Sequence, residues 1–264
     1  MQDNQRDKVA PPSMFLALTE PVRALFELGS MPMAAPLLAM APRGDGHPVL
    51  VLPGFITSDL STGLLRRFLT RMGYDAHTWN LGRNLGPKAI GHEGEHLIAR
   101  LEEVHAATGQ KVSLVGWSLG GMMARQLSRR RPDLVRQIIT LGSPIVGNPR
   151  SSNAWRSYQK FTGHKLDDPG VDEQLRESHL PPPVPSTAIF TKEDGIVAWQ
   201  NCIEPEDALT DNIRVYGSHC GLGVNPVVLY AIADRLAQDE GTWKPFERTG
   251  LLRQFVYPSS GHSH

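Results

Sequence analysis

Two stretches of the 264-residue chain carry residue types spaced for chemistry. The first, His92-Glu93-Gly94-Glu95-His96, sets two histidines four apart with a glutamate between them. On a continuous helix that spacing puts both imidazoles on one face, as two zinc ligands with a carboxylate ready to activate water. The second, Gly116-Trp117-Ser118-Leu119-Gly120, sets a serine between two glycines. A serine on a tight turn from strand into helix sits in a strained backbone, and side chains two positions before and after it would collide with the turn. Such a turn lifts the hydroxyl above the sheet and points the positive end of the helix dipole at an anion forming there. The first pattern offers metal-assisted hydrolysis and the second nucleophilic acyl transfer. The elements around each decide between them.

Continuous apolar character predicts a buried strand at PVLVL (48–52), and KVSLV (111–115), QIITL (137–141), STAIF (186–190) and NIRVY (212–216) are read as further strands, with a weaker one at 74–79. Helical period predicts helices over 60–72, 89–107, 119–131 and 226–238, and Ser13 to Gly29 forms an N-terminal one with Ser13 as its cap. Strands alternating with helices imply an α/β fold: a mostly parallel sheet with helices on both faces and sites at the carboxyl ends of the strands. Residues 1–46 precede this pattern as a helical arm. Residues 145–184 interrupt it with two helical patches, 152–161 and 171–179, closed by Pro181-Pro182-Pro183. About forty residues between consecutive strands is far beyond an ordinary connection and predicts a lid on a single domain.

Ser118 therefore follows a strand and opens a helix, the context a nucleophile elbow requires. In this the chain resembles the α/β-hydrolase superfamily, and within it the bacterial esterases and lipases, over roughly residues 47 to 240. The resemblance implies a triad in the order Ser, then Asp or Glu, then His. Asp194 stands after the next-to-last strand in EDGIV, similar to the family's D-G-x-V loop, with Glu193 as the neighbouring alternative that the Asp-Gly turn disfavours. His219 directly follows the last strand, and the only later histidines, His262 and His264, belong to a Ser/Gly tail. The family's oxyanion hole would take one N–H from Leu119 and one from Phe55 of Pro53-Gly54-Phe55, although proline replaces the family's frequent histidine. Cys202 and Cys220 flank the implied acid and base, as in some bacterial lipases where a disulfide ties these loops. The alternative is a pair of reduced thiols.

The zinc pattern fares worse. No H-E-x-x-H-x-x-G-x-x-H extension follows it, no acidic residue stands between Glu103 and Asp133, and Gly94 weakens the helix at its centre. The stretch is expected on the outside of the sheet, with Glu93 and Glu95 in a first helical turn. Neither a metal nor a cofactor is expected.

With 27 basic and 27 acidic residues the net charge is zero, so no global field recruits nucleic acid or an anionic membrane. Arg129–Arg131 suits the negative end of a helix dipole. No apolar run reaches the roughly 18 residues of a membrane span, and the polar start makes a poor secretory signal. A cytoplasmic location is the expectation, with export by an atypical route left open. Trp155, Tyr158, Phe161, Leu175 and Leu180 either wall an apolar acyl pocket or pack the lid down. The implied activity is hydrolysis of a small-molecule or lipid ester. An acyltransferase using the same acyl-enzyme and a non-catalytic binding module are the alternatives, and oligomeric state is not legible.

Overall fold

The apolar runs pair side by side, as the computed structural model shows over the residues it describes, 9–146, 151–162 and 180–259. Strands β1 (Pro48–Leu52), β2 (Asp75–Thr78), β3 (Val112–Trp117), β4 (Val135–Leu141), β5 (Ser186–Thr191) and β6 (Thr210–Val215) form one parallel sheet in the order β2-β1-β3-β4-β5-β6. Val49 to Leu52 and every residue of β5 are buried, which is why β1 reads as an unbroken apolar run rather than an alternating one.

Helices cover both faces. On one, α3 (Gly63–Met72) and α8 (Pro226–Leu236) bury Leu65, Leu69, Val228 and Ile232 against the sheet. On the other, α5 (Glu95–Thr108) and α6 (Leu119–Arg130) bury Leu97, Leu101, Met123 and Leu127. Each such side chain contributes about 1.5–3 kcal/mol on leaving water, so the two clusters hold the sheet rigid under the loops it carries. From β1 the chain steps outward to β2 and then returns past β1 to β3, so the strand order reverses between β1 and β3. Loops leaving these neighbours diverge and open a crevice at their carboxyl ends.

Two expectations change. The helix expected over 89–107 is broken: a short α4 (Pro87–Ile90) ends at Gly91 (φ 90°), Gly94 takes φ 76°, and α5 starts only at Glu95. Glu93 thus precedes the helix, and only Glu95 lies in its first turn. The N-terminal helix α1 (Met14–Ser30) is capped by the Ser13 hydroxyl as expected, but it docks by its polar side. Glu20 is buried whereas Phe15, Leu18, Val22, Leu25 and Phe26 are exposed. Its partners are backbone N–H groups of the loops after β5 and β6, which need acceptors and not apolar side chains.

A second short helix, α2 (Ala35–Ala39), leads into β1. Of the expected lid, 145–146, 151–162 and 180–184 are described, including α7 (Trp155–Thr162); the patch at 171–179, with Leu175, lies outside the described residues. A last helix, α9 (Leu251–Val256), ends the described chain. Among the described residues no helix is long and apolar enough to cross a membrane.

Candidate active site

Ser118 sits at the junction of β3 and α6 with φ 53° and ψ −119°, a conformation that costs a non-glycine residue about 1–3 kcal/mol. Its N–H donates to the Leu141 carbonyl (2.8 Å), which ties the elbow to the end of β4. The flanking glycines are required by close approach. A Cβ on Gly116 would stand 2.5 Å from the Gly120 carbonyl oxygen, and one on Gly120 would stand 2.5 Å from the Leu52 carbonyl oxygen of β1. The packed sheet and α6 hold the strain that the short sequence pattern encodes.

Asp194 and His219, 25 residues apart in the chain, meet above the sheet. His219 Nδ1 and Asp194 Oδ2 are 2.6 Å apart, and both residues are buried. The other carboxylate oxygen, Oδ1, accepts the N–H groups of Ile196 (2.8 Å) and Val197 (2.7 Å), so the turn beginning at Gly195 fixes the acid's rotamer. Glu193 faces elsewhere: its carboxylate accepts the Thr191 hydroxyl (2.6 Å) and lies 3.8 Å from Arg214. Burial works against a charged His219 ring, but the Asp194 charge and hydrogen bond, with a contribution from Glu20, outweigh it and hold the imidazole pKa above its ordinary value.

Two further residues join this pair to the elbow. Gly142, directly after β4, has φ 55°, and a Cβ there would lie 3.0 Å from His219 Nδ1 and 3.2 Å from Asp194 Oδ2. The Trp117 indole N–H donates to the His219 carbonyl (3.1 Å), linking the residue before Ser118 to the histidine loop. In sequence Gly142 is visible only as part of a strand-ending Gly-Ser-Pro, and no spacing rule singles out Trp117.

The loop after β1 abuts the elbow: a Cβ on Gly54 would touch the Ser118 Cβ at 3.5 Å. Buried Asn84 braces this loop. Its side-chain amide donates to the Pro53 carbonyl (2.8 Å), its own carbonyl accepts from Ile56 N–H (2.7 Å), and its N–H donates to Thr57 (2.8 Å). Phe55 is thereby placed next to the Ser118 turn, and Leu119 is the first residue of α6, whose leading N–H groups have no partner within the helix. The Phe55 ring packs 5.3 Å from Tyr158, which stacks on Trp155 at 5.5 Å, so α7 lays an aromatic wall over the loop after β1. Of the remaining lid residues named from sequence, Leu180 is exposed.

Of the two possibilities for Cys202 and Cys220, the structure shows the free thiols. Past Asp194 the chain coils into a 3-10 turn (Trp199–Cys202) that turns Cys202 into a small core with Phe190, Val197 and Ile203, whereas Cys220 is exposed. Closeness in sequence to the acid and base did not fix where the sulfurs point. The two loops are joined instead by α1, whose Glu20 carboxylate accepts the N–H groups of Gly195 (2.8 Å), His219 (3.1 Å) and Cys220 (2.7 Å).

His92 and His96 form no paired site on one helical face. Both are exposed, His92 is in the turn before α5 and His96 is in its first turn, so the two do not share a helical face. His96 Nδ1 contacts the Ala89 carbonyl (3.3 Å), and the Glu95 carboxylate accepts the Glu93 N–H (3.0 Å).

Comparison with known proteins agrees with the fold. A family profile described as alpha/beta hydrolase fold matches residues 48–168, the segment from β1 through the elbow to the lid. A triacylglycerol lipase of Burkholderia plantarii is 28% identical over 158 residues, covering 56% of this chain and 44% of that one. The chain spans less than half the length of the curated relatives it matches. Among solved structures, Aspergillus fumigatus lipase B superposes with a TM-score of 0.56 at 19% identity, over 74% of this chain and 53% of that one. The Paleococcus ferrophilus monoacylglycerol lipase gives 0.52 at 13% identity, over 73% of this chain and 96% of that one. A doubly wound parallel sheet, a strained serine between β3 and α6 and the profile match across both give this chain the α/β-hydrolase fold.

Proposed function

We propose that the chain is a carboxylic-ester hydrolase of the esterase or lipase type, acting through an acyl-enzyme on Ser118. The observation that carries this reading is the buried Asp194–His219 pair held at 2.6 Å, with the histidine loop tied to the strained Ser118 turn by the Trp117 indole N–H on the His219 carbonyl. Asp194 is anchored by two backbone N–H groups, so it fixes the histidine tautomer with Nδ1 protonated and leaves Nε2 as the base.

In the proposed sequence of events, His219 Nε2 takes the Ser118 proton while Oγ forms a bond to the ester carbonyl carbon. Charge collects on the carbonyl oxygen, where the N–H groups of Phe55 and Leu119 receive it; donors in that role are typically worth about 10²–10³ in rate each. The tetrahedral species collapses as the C–O bond to the alcohol breaks, and the proton on His219 passes to the departing oxygen. Water then repeats the attack: His219 removes its proton, the acyl–Oγ bond breaks, and the proton returns to Ser118. The Asp194 charge stabilises the imidazolium formed in both halves.

The aromatic surface of Phe55, Tyr158 and Trp155 suits an apolar acyl group, which points to lipid-like or other hydrophobic esters. The names of the relatives, triacylglycerol and monoacylglycerol lipases, support the same class. A panel of p-nitrophenyl esters from acetate to palmitate tests the proposal. Hydrolysis by the wild type and none by Ser118→Ala is expected. Full activity in Ser118→Ala, or no hydrolysis of any member, overturns it.

A further inference from the structure

We propose that Glu20 of α1 is a positioning residue for the reaction, clamping the acid loop and the histidine loop into one unit from a helix that precedes the whole sheet. The inference rests on the proposed function, and it assigns a role to a segment that the sheet-and-elbow framework leaves without one.

Glu20 is 1% exposed, and its carboxylate receives four donors. One oxygen accepts Gly195 N–H from the acid loop (2.8 Å), His219 N–H from the histidine loop (3.1 Å) and the Arg23 guanidinium (2.7 Å); the other accepts Cys220 N–H (2.7 Å). The loop donors are 175 to 200 residues away in the chain. Gly195 directly follows Asp194, so a single carboxylate bonds the backbone of the base and of the residue beside the acid. Buried N–H groups need acceptors, and without Glu20 three of them at this junction would lose theirs.

The rest of α1 is shaped to the same task. Arg23 also donates to the carbonyl of Glu193, beside the acid (2.8 Å). Glu27 accepts the Ser218 N–H (2.7 Å) and fills the space of the missing Gly221 side chain, where a Cβ would lie 2.1 Å from its carboxylate oxygen. A Cβ on Gly195 would come within 2.5 Å of the Leu16 carbonyl, so the acid loop rests on the helix backbone itself. The helix therefore turns its polar side inward, to the loops bearing Asp194 and His219, and its apolar side outward. That orientation has no use in packing a core, but it supplies acceptors where the loops present donors.

The charged and titratable groups around His219 are Asp194 from the loop after β5, Glu20, Arg23 and Glu27 from α1, and the neighbouring Cys220 thiol. Among them Glu20 adds to the field that favours the protonated imidazole, after Asp194. A clamp that positions the base is thus also legible in the pH profile.

The test is steady-state hydrolysis of a p-nitrophenyl ester by wild type, Ser118→Ala, Glu20→Gln, Glu20→Asp and Leu25→Ser, with thermal unfolding of each. Glu20→Gln keeps the shape, removes the charge and turns an amide donor toward the N–H groups. It is expected to lower kcat about 10–100-fold through misplacement of the pair, to leave KM within about threefold, and to move the acid limb of the kcat/KM profile to lower pH. Glu20→Asp keeps the charge at shorter reach, so kcat falls while the limb stays near the wild-type position. Leu25→Ser, on the exposed side of the same helix, changes none of these. A folded Glu20→Gln enzyme with wild-type kcat and limb overturns the proposal even if its melting temperature drops, and so does wild-type kcat in Glu20→Asp if the Gln variant does not fold. Loss of activity in Ser118→Ala with full activity in the Glu20 variants sinks the clamp alone. Activity retained in Ser118→Ala sinks the reaction on which it rests.

Discussion

Replacing Gly142 by alanine puts one methyl group between the acid, the base and the strand that supports them. At φ 55° an alanine pays about 1–2 kcal/mol that glycine does not. The added carbon would also lie 2.8 Å from Leu222 Cδ1, 3.0 Å from His219 Nδ1 and 3.2 Å from Asp194 Oδ2, against ordinary contacts of about 3.5–4.0 Å. The leucine methyl can swing aside. The ring and carboxylate, joined at 2.6 Å and anchored by further backbone hydrogen bonds, can separate from the new atom only by moving a few tenths of an ångström. Displacement by about 1 Å can cost on the order of 10² in rate, so a loss of kcat between tenfold and a hundredfold is expected. At roughly 2–4 °C per kcal/mol for a chain near this size, the backbone penalty lowers the melting temperature by about 2–8 °C. Ester hydrolysis and calorimetry on the same preparation read both effects. A Gly142→Ala enzyme with wild-type kcat would refute the reasoning, because a methyl group would then fit where the packing leaves no room.

The acid limb of the kcat/KM profile is expected above the ordinary imidazole pKa of 6.5, because Asp194 and Glu20 favour the protonated ring and only the neutral ring is a base; a limb at or below 6.5 contradicts this. The same raised folded-state value means that the stabilisation His219 provides is fully present below about pH 6.5 and is lost as pH rises through the folded-state pKa, which pH-dependent unfolding can follow. Partial withdrawal from water and the nearby Glu20 carboxylate push the Cys220 thiol up to about 12. Iodoacetamide at pH 8 should therefore alkylate it more slowly than a free cysteine, although the residue is exposed, and rapid labelling would count against the placement of Glu20. His92→Ala and His96→Ala are expected to retain nearly full activity, and EDTA to have no effect; chelator-sensitive hydrolysis would revive the zinc reading.

The parts of the site legible in sequence are those fixed by local backbone geometry. Ser118 declares itself because the elbow needs glycine on both sides and a strand and helix at its ends, all within a dozen residues. Asp194 and His219 follow from turns at the ends of apolar strands, taken in the order the resemblance supplies. What stayed hidden depends on contacts between distant segments. Apolar spacing correctly marks α1 as a helix but cannot tell that its polar side faces inward, since the donors it meets lie 175 to 200 residues away. The cysteines flank the acid and base in sequence, yet the 3-10 turn at Trp199–Cys202 sends one sulfur into a core of its own. His92 and His96 mimic a metal site on paper because periodicity runs through Gly91 and Gly94, whereas both glycines take positive φ and separate the two short helices.

The central claim is that Ser118 becomes acylated with help from His219, and intact-protein and peptide mass spectrometry after reaction with a fluorophosphonate tests it most directly. A single adduct on the peptide carrying Ser118, with stoichiometric loss of ester hydrolysis and labelling slowed by orders of magnitude in His219→Ala, is the predicted result. An adduct on another residue, or undiminished labelling of Ser118 in His219→Ala, would contradict it.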